Sequence, residues 1–321
     1  MFRLKGGRMN SLKFQQLIAS LGELSDDQRQ TVAAMISGQG DLAEVTSMIE
    51  ARFSAGVICP HCQSTNVGSW GRSCGLKRYR CRECRKTFNA LSGTPLARLQ
   101  KRGAWKCYAQ AVAESVSVRK AARRTGLSVP TAFRWRHRFL TLAKDAKAKT
   151  VRGIVEADET FFLKSFKGSR KMSRVPRKRG EPASKPGASD EQVPVLVLRD
   201  RSGATADDVL ASLKVAEIYR VLTPVVAKDT VLVSDGARAY ASFAFEAGIG
   251  HVGLTGRRGE RRRGIFHLQN VNAYHSRLKT WMRRFNGVAT KYLPNYLGWR
   301  RMFEREGDTI SAQRCLLAAL A

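Results

Sequence analysis

The chain has 321 residues, with 57 Lys and Arg against 26 Asp and Glu and a formal net charge of +31. Ordinary apolar content (43%, with 8% aromatic) excludes a basic disordered tail. The lack of any apolar run of about 18 residues, and of an apolar stretch in Met1–Arg8, points to a soluble, non-secreted protein of two or three domains. The positive excess recurs in separate segments, and its natural partner is a polyanion, nucleic acid rather than membrane.

Residues 1–56 are expected to form a helical module. Ser25, Asp26, Asp27 and Gln28 carry an N-cap signature, and Leu42, Val45, Met48 and Ile49 keep a 3.6-residue period in a following helix. Residues 57–90 contain Cys59, Cys62, Cys81 and Cys84 in the pattern C-x2-C-x18-C-x2-C. Each close pair suits a knuckle that offers two thiolates to one tetrahedral ion, so a structural Zn²⁺ in a ribbon hairpin is expected. Four unrelated buried thiols would not produce paired spacing. His61 and Cys74 read as bystanders, and Arg72, Lys77, Arg78, Arg80, Arg82, Arg85 and Lys86 make the ribbon basic.

Residues 100–145 read as a helix-turn-helix domain. The expected helices run from Trp105 to Ser115, from Ser117 to Thr125 and, after a turn at Gly126 and a cap at Ser128, on through Phe139. Thr131, Arg134 and Arg138 fall on one face of the last helix, opposite Ala132, Trp135 and Phe139, as a helix lying in a DNA major groove requires. A solvated charged face is the competing reading. Residues 164–191 hold nine bases, including Lys178 and Arg179, among prolines and glycines, a loop suited to a phosphate backbone.

Two apolar runs carry acids. Gly153–Leu163 carries Glu156, Asp158 and Glu159, and Val231–Gly236 carries Asp235. Carboxylates at strand ends, joined by a sheet, can hold Mg²⁺ or Mn²⁺; a solvated strand edge is the plainer alternative for the first run. Between them, Val193–Leu198 and Arg201–Ala204 read as a hairpin and Asp207–Val221 as an amphipathic helix. Thr230–Ser234 reads as a buried strand, Tyr240–Ala247 as a short helix and His251–Leu254 as a last strand. A second basic loop follows, with Arg257, Arg258, Arg261, Arg262 and Arg263. Asn270–Phe285 is an amphipathic helix with Tyr274, Leu278, Trp281 and Phe285 on the apolar stripe. Asn272 and Lys279, seven residues apart, share the polar face, with His275 at its border.

The segments E-A-D-E-T-F-F, V-L-V-S-D-G-A-R-A-Y and H-L-Q-N-V-N-A-Y-H-S-R-L-K, with C-P-H-C and C-R-E-C, resemble insertion-sequence DDE transposases of the ISXO type over roughly residues 57–305. The resemblance implies an α/β RNase H-like catalytic domain, a mixed sheet flanked by helices, at 150–305, behind the zinc ribbon. It leaves residues 306–321 as a C-terminal tail. It further implies Asp158 and Asp235 as the first two metal-binding acids and Lys279 as the lysine one helical face from the third. That third position is often Glu in the family, and this chain has Asn272, as part of the family does. The expected activity is cleavage and transfer of double-stranded DNA at element ends, by a homo-oligomer on DNA in the cytoplasm, associated with the nucleoid. A non-catalytic DNA-binding regulator and a nuclease for branched nucleic acid are the alternatives.

Overall fold

The computed structural model describes residues 10–169, 172, 175, 178, 180–185, 189–255 and 260–321. The chain divides into two compact units, one of Met1–Gly93 with Ala97–Tyr108 and the other of Thr94–Leu96 with Ala109–Ala321.

In the first unit, helices α1 (Ser11–Leu21) and α2 (Asp26–Glu50) precede a three-stranded antiparallel sheet of β1 (Val67–Ser73), β2 (Leu76–Cys81) and β3 (Thr87–Asn89). The Ser25–Gln28 capping box starts α2 as expected. The helix then continues unbroken through Val45 and Ile49, where the sequence suggested a second helix, because no cap or proline interrupts it. The ribbon core is small: Cys59, Cys81 and Phe88 are buried, with Phe53, Val57, Val67 and Tyr79 against them.

The second unit contains most of α3 (Trp105–Ala113), the helix pair α4 (Val118–Thr125) and α5 (Val129–Phe139), and a five-stranded mixed sheet. Local chemistry sets the pair: Ser117 and Ser128 cap the two helices, and Gly126, at φ 62°, closes α4 in the left-handed conformation. The sheet comprises β4 (Ile154–Leu163), β5 (Gln192–Asp200), β6 (Thr205–Val209), β7 (Val231–Ser234) and β8 (Gly250–Gly253). Numbered within the sheet, its order is 3-2-1-4-5. The central β4 pairs antiparallel with β5 and parallel with β7.

Period-two alternation along β4 divides the layers. Val155 and Ala157 join Leu196, Leu198 and Leu232 in a core covered by α6 (Val215–Leu222) and α7 (Arg238–Ala247). Glu156 and Asp158 face the other way, toward α8 (Gln269–Arg283), which is preceded by the short hairpin β9 (Arg262–Arg263) and β10 (Phe266–His267).

Three expectations need correction. Arg201 to Gly203 form the turn between β5 and β6, not a strand, because Asp200 Oδ1 caps the turn by accepting from Ser202 and Ala204. Asp207 lies on β6, not on an amphipathic helix, since its buried carboxylate pairs with Arg301 and accepts from Tyr274 Oη at 3.2 Å. The last residues are not a tail. Following α9 (Leu293–Glu306), helix α10 (Ala312–Leu320) buries Ala312, Cys315, Leu316, Ala319 and Leu320 and packs on α5.

The helix pair belongs to the same compact unit as the sheet, with α9 between them. On one side of α9, the buried Arg136 guanidinium lies 4.6 Å from the Trp299 ring centroid and His137 stacks on Tyr292 at 3.6 Å. On the other, Arg301 reaches Asp207 on the sheet. Trp281, Phe285, Tyr296 and Trp299 fill the space with largely edge-on contacts, the arrangement aromatic quadrupoles favour.

Candidate active site

Asp158 sits mid-strand on β4, a quarter exposed, with Oδ2 at 3.7 Å from His275 Nδ1 on α8. Its carboxyl is pushed up to about 7, first by burial and then by the charge of Glu159, with Asp235 adding to the shift and Lys279 opposing it. Those influences put Glu159, Asp235 and Lys279 each within electrostatic reach of Asp158. His275 is held at about 4 by burial and by Lys279, so its ring is neutral at ordinary pH. Its Nε2 is buried without a hydrogen-bond partner among the described residues.

Asp235 follows directly on β7, as expected from the V-L-V-S-D-G run. A tight turn holds it: Ala237 N–H donates to Asp235 Oδ1 at 3.0 Å, and Gly236 N–H donates to Ser234 Oγ at 3.2 Å. Gly236 has φ +85°, and a Cβ on Gly253 of β8 would come within 2.9 Å of its Cα, so both positions demand glycine. Glu159 points to the opposite face of β4 from Asp158, where Tyr240 Oη donates to it and burial raises its carboxyl. Asn272 lies exposed on α8, one turn before His275, and its side chain has no partner among the described residues.

Lys279 lines a cavity of about 830 Å³ between the end of β4 (Phe161, Phe162, Leu163) and the C-terminal half of α8 (Met282, Arg283). Lys178 lines it too, whereas Arg179 lies outside the described residues, as do Arg257 and Arg258. Arg261 and Arg262 are exposed, Arg262 within β9 and Arg261 just before it.

On α5, Arg134 is exposed and donates to Thr131 Oγ1 at 3.4 Å, while Thr131 also closes the Ser128 cap. Arg138 is exposed but donates to the Pro95 carbonyl. The sequence reading did not anticipate that Arg136, on the same helix, is fully buried and donates to Val116 O at 2.8 Å.

The residues fit the two implied metals. Cys59, Cys62, Cys81 and Cys84 bring their Sγ atoms within 4.8 Å of one another, with two pairs at 3.6 Å. Zn–S bonds of about 2.3 Å at tetrahedral angles require sulfurs about 3.8 Å apart. Asp158 and Asp235 offer hard carboxylate oxygens whose mutual repulsion a divalent cation would relieve, and Asn272 offers an amide oxygen on the facing helix. Sequence reading overlooked Tyr240 and the role of Glu156. Glu156 is fully buried two residues before Asp158 on the same strand face, which strand periodicity alone exposes.

Residues 150–300 match the family described as ISXO2-like transposase domain. A relative from Halobacterium salinarum, an uncharacterized protein in transposable element ISH50, is 26% identical over 268 residues, covering 81% of this chain and 90% of its own length. Among solved structures, a pre-cleavage Mos1 transpososome aligns at 14% identity and a TM-score of 0.22, covering 67% of this chain and 79% of that one. The Mos1 strand transfer complex aligns at 14% and 0.23, covering 67% and 78%. The segment bearing Asp158, Asp235 and Lys279 thus lies within the match to an ISXO2-like transposase domain, and the chain is similar over most of its length to a protein of a transposable element.

Proposed function

We propose that the protein binds the ends of its own element and catalyses metal-dependent cleavage and transfer of double-stranded DNA, acting as a homo-oligomer on the nucleoid in the cytoplasm. The observation that carries this reading is the gathering of Asp158 and Asp235 from adjacent strands opposite the Lys279-bearing helix. The 3-2-1-4-5 mixed sheet supports an RNase H-like assignment for this domain.

Asp158, Asp235 and Asn272 would hold Mg²⁺ or Mn²⁺, which when bound supplies Lewis-acid activation of the attacking oxygen and relief of charge on the phosphate. Lys279 would meet a non-bridging phosphate oxygen as a point charge. His275, neutral and buried against Asp158, backs that carboxylate without adding positive charge. Arg134 and Thr131, on the exposed face of α5, are suited to reading base edges. Arg138, already engaged with a carbonyl, is better placed to steady the helix end. Lys178, Arg179, Arg261 and Arg262 would contact backbone phosphates, with the four-cysteine ribbon folded around Zn²⁺.

The test is strand joining on duplexes carrying the element's terminal sequences. Asp158→Ala and Asp235→Ala should abolish joining while end binding persists. Asn272→Ala should lower joining on the order of 10²-fold if the amide is a ligand. A wild type that binds ends tightly yet joins nothing in Mg²⁺ or Mn²⁺, with joining restored by Asn272→Glu, would make the protein a DNA-binding regulator descended from a transposase.

A further inference from the structure

Glu156 is fully buried, in a layer where an apolar side chain would fill the space between β4 and α8 at less cost. Its carboxylate is instead fully engaged. Oε2 accepts from the backbone N–H of Val271 at 2.9 Å, and Oε1 accepts from Asn270 Nδ2 at 2.9 Å. Arg201, in the β5–β6 turn, pairs with Oε1 at 3.1 Å, and His267 Nδ1, at the end of β10, approaches it at 3.3 Å. Arg201 also donates to Ile265 O at 2.9 Å, which draws the β9–β10 hairpin into the same knot. One side chain thus joins β4, the β5–β6 turn, the hairpin and the first turn of α8. The partners on α8 immediately precede Asn272, and Glu156 immediately precedes the Ala157–Asp158 step on the same strand.

We propose that Glu156 is a positioning residue for strand transfer: by gripping the first turn of α8 it sets the orientation of the Asn272–Lys279 face relative to Asp158. The inference rests on the reading of that site given above and assigns Glu156 no contact with DNA. Lys279 lies eight residues beyond Val271, roughly 12 Å along the axis, so a tilt of about 10° at an unanchored first turn moves it roughly 2 Å. Misplacement of that size costs catalysis on the order of 10²-fold. Arg201 supplies the positive partner that makes a buried carboxylate tolerable here, which no apolar substitute would need.

The experiment compares Glu156→Ala and Glu156→Gln in the full chain, each alone and combined with Lys279→Ala. The measurements are end-DNA Kd, single-turnover joining and site-resolved amide exchange. Glu156→Ala should leave Kd near wild type, slow joining on the order of 10²-fold and speed exchange at Val271 while central β4 and β5 amides keep their protection. Its cost to joining should shrink markedly in the Lys279→Ala background, because the anchor acts through that helix. Glu156→Gln keeps one acceptor for Val271 N–H and should fall between, serving as the working variant if the alanine protein does not fold. Equal losses in both backgrounds, a Kd weakened as much as joining, or unchanged exchange at Val271 would each overturn the proposal. A wild type that joins no strands would defeat the functional reading instead, and exchange at Val271 would then decide the anchor by itself.

Discussion

Gly298 offers a sharp test of how α9 is seated. It lies mid-helix, where replacing glycine by alanine ordinarily stabilises by about 1 kcal/mol. Here a Cβ would stand 2.1 Å from Ala143 O, 2.3 Å from its carbonyl carbon and 2.6 Å from Lys144 N, all backbone atoms that cannot rotate away. Restoring ordinary contact requires α9 and the 143–146 segment to part by roughly 1 Å. That separation strains the bonds Arg301 makes one turn later, to Ala143 O at 3.3 Å and Lys144 O at 2.6 Å, along with its ion pair to buried Asp207. Hydrogen bonds to a charged group contribute about 1.5–3 kcal/mol each, and a buried acid deprived of its partner costs about 3–5 kcal/mol. Partial loss of these, less the helix gain, gives a net destabilisation of about 2–4 kcal/mol for Gly298→Ala. In a unit of this size that lowers the midpoint by roughly 5–15 °C. Thermal unfolding followed by near-UV circular dichroism reports it, since Trp281 and Trp299 are buried beside the contact. A midpoint equal to or above wild type would refute the close approach and the pinning role assigned to Arg301.

Cys81→Ser should release one equivalent of zinc per chain and unfold the ribbon while the sheet-containing unit melts as before; elemental analysis and two-probe melting check both halves. Asp158 has a native pKa raised to about 7 from an ordinary value near 3.8, so in metal-free protein it contributes stability at low pH that is lost as pH rises from about 4 to about 7. The thermal-shift gain from Mg²⁺ should accordingly grow between pH 6 and pH 8, and Asp158→Asn should abolish that growth. Arg134→Ala should weaken binding to the cognate end by about 1–3 kcal/mol with little effect on random DNA, whereas Lys178→Ala should weaken both alike and flatten the salt dependence. Equal losses for Arg134→Ala on the two DNAs, measured by titration, would contradict base readout.

What could be read in the sequence was what short stretches decide. Ser117, Gly126 and Ser128 specify their helix ends by bonds within three or four residues, and paired cysteines announce a metal by spacing alone. The V-L-V-S-D-G run likewise delivered Asp235 to a strand end. Misreadings arose where the deciding partner is remote. Asp207 gave a helical pattern because its partner Arg301 is 94 residues away, and Glu156 looked like one acid in a cluster because Asn270 and Val271 are 114 and 115 residues distant. Residues 312–320 looked like a tail because their apolar face is covered by α5, far back in the chain.

Helix α9 lies between the helix pair and the sheet. Arg136 and His137 clasp it from one side and Asp207 from the other, so α5 and the sheet that carries Asp158 rest on one helix. On the proposed reading, the protein then works as a fixed ruler for the stretch read by α5 and cut by the same chain. Each base pair inserted between the recognised sequence and the cleavage point advances the duplex by about 3.4 Å and turns it by roughly 35°. Cleavage should therefore stay at a constant helical offset from the bases α5 reads, moving with them when they are shifted and ignoring the sequence at the cut itself.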